Sequence, residues 1–204
     1  MKKLLLIFMT IQAASSEQLR ITVYDGAPLP REISAQAFTD VGCILRGAGI
    51  DVELIRADFT VPEASLLQLP TPPRKGSERA MACRARRDIA LEILKAAPPG
   101  HKKSILGYAQ PLASAGLNVR VFDDRIRWVA AEWNRPHATV LAHVIAHEIG
   151  HVLLRNGEHS LVGLMSEAWR DADFRWMSRS LMFFSRQQAT AMRSELSGAK
   201  CPAH

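Results

Sequence analysis

Only three cysteines, Cys43, Cys83 and Cys201, occur in 204 residues, and none lies near residue 16, which argues against lipid attachment to an exported chain. Three thiols leave room for one disulfide and one thiol over. Cys43–Cys83 is the expected pair because Cys201 sits in the terminal tail, with the other two pairings open. No internal repeat or low-complexity tract appears. The chain also lacks a run long enough to span a bilayer: its longest apolar stretch, LLLIFMTIQAA, falls short of about 20 residues. Aromatic residues make up 6%, and the basic residues scatter through 74–87, 101–103, 120–127 and 170–186 without aromatic interleaving. Such scatter describes a solvated surface, so no nucleic-acid partner is expected. The formal charge of +6 is mild, and Lys2 and Lys3 supply two of those charges.

What is present begins with order at the N-terminus. Lys2 and Lys3 precede the apolar stretch, and small residues Ser15 and Ser16 follow it, the three regions of a secretory signal peptide. Residues 1–16 are therefore expected to be removed, leaving 17–204 as one secreted or periplasmic domain, expected to be a monomer. With 48% hydrophobic residues the chain can build one substantial core.

LRITVYDGA (Leu19 to Ala27) alternates apolar and polar residues and stops at Asp25-Gly26, as a half-buried strand does. Ile33, Ala37, Val41, Ile44 and Leu45 recur at helical spacing before Gly47 and Gly49, and DVELIRAD (Asp51 to Asp58) alternates again. Strand, helix, strand is the signature of a parallel βαβ unit. Prolines 62, 70, 72 and 73 with Gly76 make residues 60–82 a loop. RDIALEIL, SILGYAQ and LNVRVFDD read as strands. A helix should start at Asn134–Pro136 and run to about Arg155, with Asn156-Gly157 as its stop. Ser185 and Gln188 have capping-box spacing, which places a last helix over SRQQATAMRSELSG. The fold class is thus α/β (α+β): one mixed, twisted sheet of about four or five strands with helices packed on it.

The chemistry concentrates in AHVIAHEIGHVLLRNGEHSLVGLM, Ala142 to Met165. Polar groups in so apolar a run need partners. On a helix His147 and His151 lie one turn apart on one face, able to hold one ion, and Glu148 lies beside it. This is HExxH, in which zinc takes two histidines and the glutamate receives a proton from the bound water. A third ligand must follow the helix. Asn156-Gly157 tolerates the positive φ needed to reverse the chain and bring His159 back, with Glu167 as the rival. Three protein ligands leave a fourth position for water or substrate.

HEIGHVLLRNGEHSLVGLM resembles the zinc-binding segment of metzincin endopeptidases, whose pattern is HExxHxxGxxH followed by a turn containing methionine. It is also similar to small secreted bacterial proteins with an HEIGHLLL…HSxxGxM segment, preceded by an LGYA strand and a βαβ start. The resemblance extends from Leu19 to the final helix, but its specific part is Ala146 to Met165. It implies that Met165 forms an apolar floor beneath the metal. The sequence departs from the pattern where Leu154 stands in place of the glycine and Gly157 in place of the third histidine, so the turn must be built differently. No tyrosine follows Met165, although some metzincins use one there.

The expected function is hydrolysis of peptide bonds in a peptide or protein substrate by one catalytic Zn2+, with Glu148 as general base. Two alternatives stand: a secreted binding protein stapled by its zinc, and a DNA-associated HExxH protease should the N-terminus not be a signal. His143, one turn before His147, is expected to be a buried, hydrogen-bonded residue, His137 to mark the helix start and His101 to be solvated. The four tryptophans, Trp128, Trp133, Trp169 and Trp176, are expected in the core. LGYAQP could pair with an extended substrate or be ordinary sheet.

Overall fold

Alternation builds the first strand, β1 (Glu17–Asp25), whose Leu19, Ile21 and Val23 are buried while their neighbours face outward. Residues 17–57, 87–102, 104–112, 116–155 and 159–198 are described by the computed structural model. The expected signal segment, the loop over 60–82, Asn156-Gly157, Cys83 and Cys201 lie outside them. α1 (Arg31–Gly47) buries Ala37, Val41, Ile44 and Leu45 and leads into β2 (Ile50–Arg56), parallel to β1 with Ile21 opposite Leu54. The expected βαβ unit is therefore present. Cys43 on α1 is a free cysteine among the described residues, and its expected partner Cys83 lies outside them.

β3 (Asp88–Leu94), β4 (Gly107–Leu112) and β5 (Gly116–Phe122) complete a five-stranded sheet of order β2-β1-β3-β5-β4. Four strands are parallel; β4 alone is antiparallel and lies at an edge. One inward row runs Val23, Leu91, Val119, Ala109, and the next ends in Ile93, Val121, Gly107. On the opposite face the Arg120 guanidinium donates to Glu92 Oε2 at 2.7 Å and to the Tyr108 hydroxyl at 2.6 Å. Arg120 on β5 thereby links Tyr108 of β4 to Glu92 of β3 across the sheet. His101, expected to be solvated, stacks on Tyr108 at 5.2 Å between ring centres.

α2 (Asp123–Glu132) begins directly after β5, a helix that the sequence pattern did not suggest. From it Arg125 donates to the carbonyls of Lys102 and Ile105, both at 2.6 Å, and to that of His101 at 3.2 Å, fixing the loop that enters β4. Asn134 then adopts φ 48°, and α3 (His137–Leu154) follows with Pro136 at its N-cap. α3 is buried along most of its length, against α1, α2 and the sheet. A short α4 (Asp171–Met177), also unanticipated, precedes α5 (Arg186–Gly198). The expected capping box is formed: Ser185 N–H donates to Gln188 Oε1 at 2.8 Å, and Gln188 N–H to Ser185 Oγ at 3.2 Å.

Candidate metal centre and its cleft

α3 delivers His147 and His151 from adjacent turns, and their Nε2 atoms lie 3.0 Å apart. His159 returns to the same point, its Nε2 3.2 Å from that of His151. Three nitrogens bound tetrahedrally at about 2.05 Å would lie about 3.3 Å apart, so the spacing fits a zinc ion. Among the described residues these three histidines are the one group of metal-ligating type whose atoms converge. Glu167 is exposed and outside the group.

His147 Nδ1 donates to the carbonyl of Leu164 at 2.8 Å. A carbonyl only accepts, so the proton sits on Nδ1 and the Nε2 lone pair faces the site. Burial pulls the His147 imidazole down to about 4, opposed by the Leu164 bond and reinforced by the neighbouring His151 and His159. The ring is therefore neutral at neutral pH, with Nε2 free of its proton, as a ligand must be.

The helix is capped by a residue that the sequence did not single out. The helix ends at Leu154, and Arg155 takes the left-handed conformation at φ 53°, its guanidinium 2.7 Å from Glu195 Oε1 on α5. Gly157, expected to be left-handed, lies outside the described residues, and Arg155 is the left-handed residue described at this helix end. After His159 the loop closes on itself: Ser160 N–H donates to the Met165 carbonyl at 2.8 Å and Ser166 N–H to that of Gly163 at 3.1 Å. Met165 is buried against α3 at Gly150, where any Cβ would strike its Sδ and the Phe184 ring. A glycine at 150 is what lets this methionine approach the helix that carries His147 and His151.

Glu148 sits beside the histidines and is 7% exposed, so burial pushes its carboxyl up to about 8. It lies under β4. A Cβ at Gly107 would come 3.1 Å from Glu148 Cγ and 2.6 Å from the Arg120 carbonyl, so only glycine admits this approach. His143 is, as expected, a buried and satisfied residue: Nδ1 donates to Thr139 O at 2.7 Å and Nε2 accepts from Met182 N–H at 3.0 Å. Both nitrogens are used, so it closes no coordination position.

The three histidines, Glu148 and Gly107 line a cleft of about 870 Å³ running between β4 and the loop after His159. Phe122 N–H bonds the Leu106 carbonyl, so residues 106, 108 and 110 pair with β5, and the backbone groups of Gly107, Ala109 and Pro111 point to the open edge. The apolar side chains of Val129, Trp133, Val144, Trp169 and Phe174 also line this cleft. Trp133 stacks on Phe174 at 4.6 Å. The expectation that all four tryptophans are core fails for Trp128 and Trp176, which are 64% and 59% exposed; Trp128 stands at the rim of the cleft.

No protein-family model matches this sequence, and no curated protein matches it. Solved structures do match in fold. Archaemetzincin from Methanopyrus kandleri is 18% identical with a TM-score of 0.52, over 92% of this chain and 99% of that one. A zinc-dependent peptidase from Methanocorpusculum labreanum is 12% identical with a TM-score of 0.53, over 84% and 99%. Metalloproteinase-II from Bacteroides fragilis is 13% identical with a TM-score of 0.51, over 92% of this chain but 55% of its own. At these identities the likeness is one of architecture: a single α/β domain on a five-stranded mixed sheet, as in archaemetzincin.

Proposed function

We propose that the protein is a zinc-dependent peptidase with His147, His151 and His159 as metal ligands, Glu148 as general base and Met165 as the floor of the site. The observation that carries this reading is the convergence of three Nε2 atoms beside a buried carboxyl in an open cleft. The structural neighbours named as zinc-dependent peptidase, archaemetzincin and metalloproteinase lend it support. The stapled-protein alternative needs a fourth protein ligand, and neither His143 nor Glu167 supplies one.

Zinc, when held, supplies Lewis acidity for water and for the scissile carbonyl. Glu148 takes the proton of the attacking water as its oxygen bonds to the carbonyl carbon. It then passes that proton to the amide nitrogen as the C–N bond breaks, leaving a carboxylate and an amine. Burial raises this carboxyl to about 8 in the metal-free protein, and the charge of a bound cation beside it would draw it down toward the range in which it can both accept and return a proton. An extended substrate would pair its backbone with Gly107 and Ala109 and place an apolar side chain against the apolar part of the cleft lining.

The test is a peptide library offered to zinc-loaded and chelated protein. Zinc-dependent cleavage is expected. A protein that binds zinc at the three histidines yet cleaves nothing would be a zinc-stapled binding protein.

We also propose export: residues 1–16 act as a signal peptide, and residues 17–204 form the mature, monomeric enzyme, with no nucleic-acid partner. The ordered N-terminal charge and hydropathy support it, and no helix among the described residues is long and apolar enough to cross a membrane. Mass spectrometry of the mature N-terminus decides it; a chain retaining Lys2 and Lys3 in its exported form refutes it.

A further inference from the structure

Trp169 lies next to the metal centre but offers no metal-ligating atom. Its indole Nε1–H donates to the Leu164 carbonyl at 3.3 Å, the same oxygen that accepts His147 Nδ1–H at 2.8 Å. One carbonyl thus receives two donors, one from a candidate ligand and one from the tryptophan. The indole ring also stands edge-on to His147, with centres 5.9 Å apart at 89°. Behind it, the ring is steadied edge-on by Phe174 at 6.3 Å, and Phe174 is stacked on Trp133.

The loop carrying Leu164 needs such a hold. It lies between His159 and Trp169, outside any helix or sheet, and hangs on a few local bonds: Ser160 N–H to Met165 O, Ser166 N–H to Gly163 O, and Ser166 Oγ to Ala168 O. A carbonyl in a loop can rotate, and a rotated Leu164 carbonyl would leave His147 Nδ1 without its acceptor in a buried site. The imidazole would then be free to move its proton to the other nitrogen and lose its lone pair toward the metal.

We propose that Trp169 is a positioning residue for the zinc ligand His147, acting through the Leu164 carbonyl that both side chains share. The inference rests on the zinc reading above. Outer groups that orient a ligating histidine are worth about 10–100-fold in metal affinity. Trp169 belongs to that class by geometry, and the indole N–H, rather than the ring, is the agent.

The test is a competitive zinc titration of metal-free protein with a chromophoric chelator. Trp169→Phe keeps an aromatic ring and deletes the N–H; its zinc Kd should rise at least about 10-fold. Met192→Ala, a core change on α5, should lower the thermal midpoint yet leave the Kd near that of the wild type, separating loss of positioning from loss of stability. A Trp169→Phe protein that binds zinc as tightly as the wild type overturns the proposal, as does an equal weakening by Met192→Ala. Should Trp169→Phe not fold, the wild-type indole proton carries the test. It should shift and exchange more slowly when zinc is added, and an indole signal indifferent to zinc refutes the assignment. A wild-type protein that binds no zinc refutes the metal site itself, a different outcome.

Discussion

Replacing Glu148 by glutamine keeps the volume and removes the proton, so its effect on stability isolates the cost of burying that carboxyl. In the folded, metal-free protein the group titrates at about 8 against an ordinary 4.5. Below pH 4.5 it is protonated in both folded and unfolded chains and costs nothing. Between 4.5 and 8 the folded chain keeps a proton that the unfolded chain has released, so stability falls as pH rises. Above about 8 the loss is complete. At 1.36 kcal/mol per unit it amounts to about 5 kcal/mol, roughly 3 of which is lost by pH 7. Glutamine has no such slope. Urea unfolding in chelator at pH 5, 7 and 9 should therefore show Glu148→Gln gaining on the wild type by several kcal/mol across the series. The difference between the two proteins cancels the opposite trend of His147, whose depressed value costs stability as pH falls below 6.5. In the zinc-loaded protein the same substitution should lower turnover about 10²–10⁴-fold with the metal retained. Parallel stability curves from pH 5 to 9 would mean that the carboxyl is not buried as described, and an unchanged turnover would remove Glu148 from the chemistry.

His159→Ala should weaken zinc binding by about 100-fold or more, since outer groups alone are worth up to about 100-fold, whereas Glu167→Ala should leave it intact; a chelator titration reads both, and the reverse order would make Glu167 the ligand. Gly107→Ala forces a Cβ to within 2.6 Å of the Arg120 carbonyl, a backbone atom that cannot move aside alone. It should cost about 1–3 kcal/mol and roughly 2–10 °C in Tm, and should lower turnover through Glu148. Arg155→Val places a β-branched residue at φ 53° and should destabilise by about 1–3 kcal/mol and weaken zinc binding. Arg155→Gly gives up an exposed ion pair worth about 0.2–1 kcal/mol but relieves strain of similar size, so thermal denaturation should show little change.

The parts of this fold legible in the sequence were those governed by one period at a time. Alternation marked β1, β2, β3 and β5, and helical spacing marked α1 and α3, because each buries one continuous face. α2 escaped notice because it starts at Asp123, the residue after Phe122, so the strand pattern ran straight into it. Its buried face is only Asp123, Ile126 and Ala130, and its Trp128 points outward. α4, at seven residues, is too short for a periodic signal. At the site, HExxH and His159 followed from spacing, while the left-handed cap of the helix did not. Turn chemistry favours Asn-Gly, which lies outside the described residues, whereas the left-handed residue described there is Arg155, with its side chain on Glu195 of a helix 40 positions away. Gly107 and Trp169 were equally hidden, since their importance comes from what lies across the fold from them.

The open edge of β4 carries a further consequence, for the company the protein keeps. A strand edge that can receive a substrate backbone can equally receive the edge of another molecule of the same protein, and such pairing is how sheets polymerise. Here the outward-facing positions are Gly107, Ala109 and Pro111, and the proline has no N–H to offer. A complete donor–acceptor pair is available at two residues only. That length suffices to hold a short extended segment whose other contacts come from the cleft, but offers little to a partner with nothing to contribute except its own backbone. The proline lets the enzyme keep an edge exposed in a crowded environment without becoming a template for aggregation.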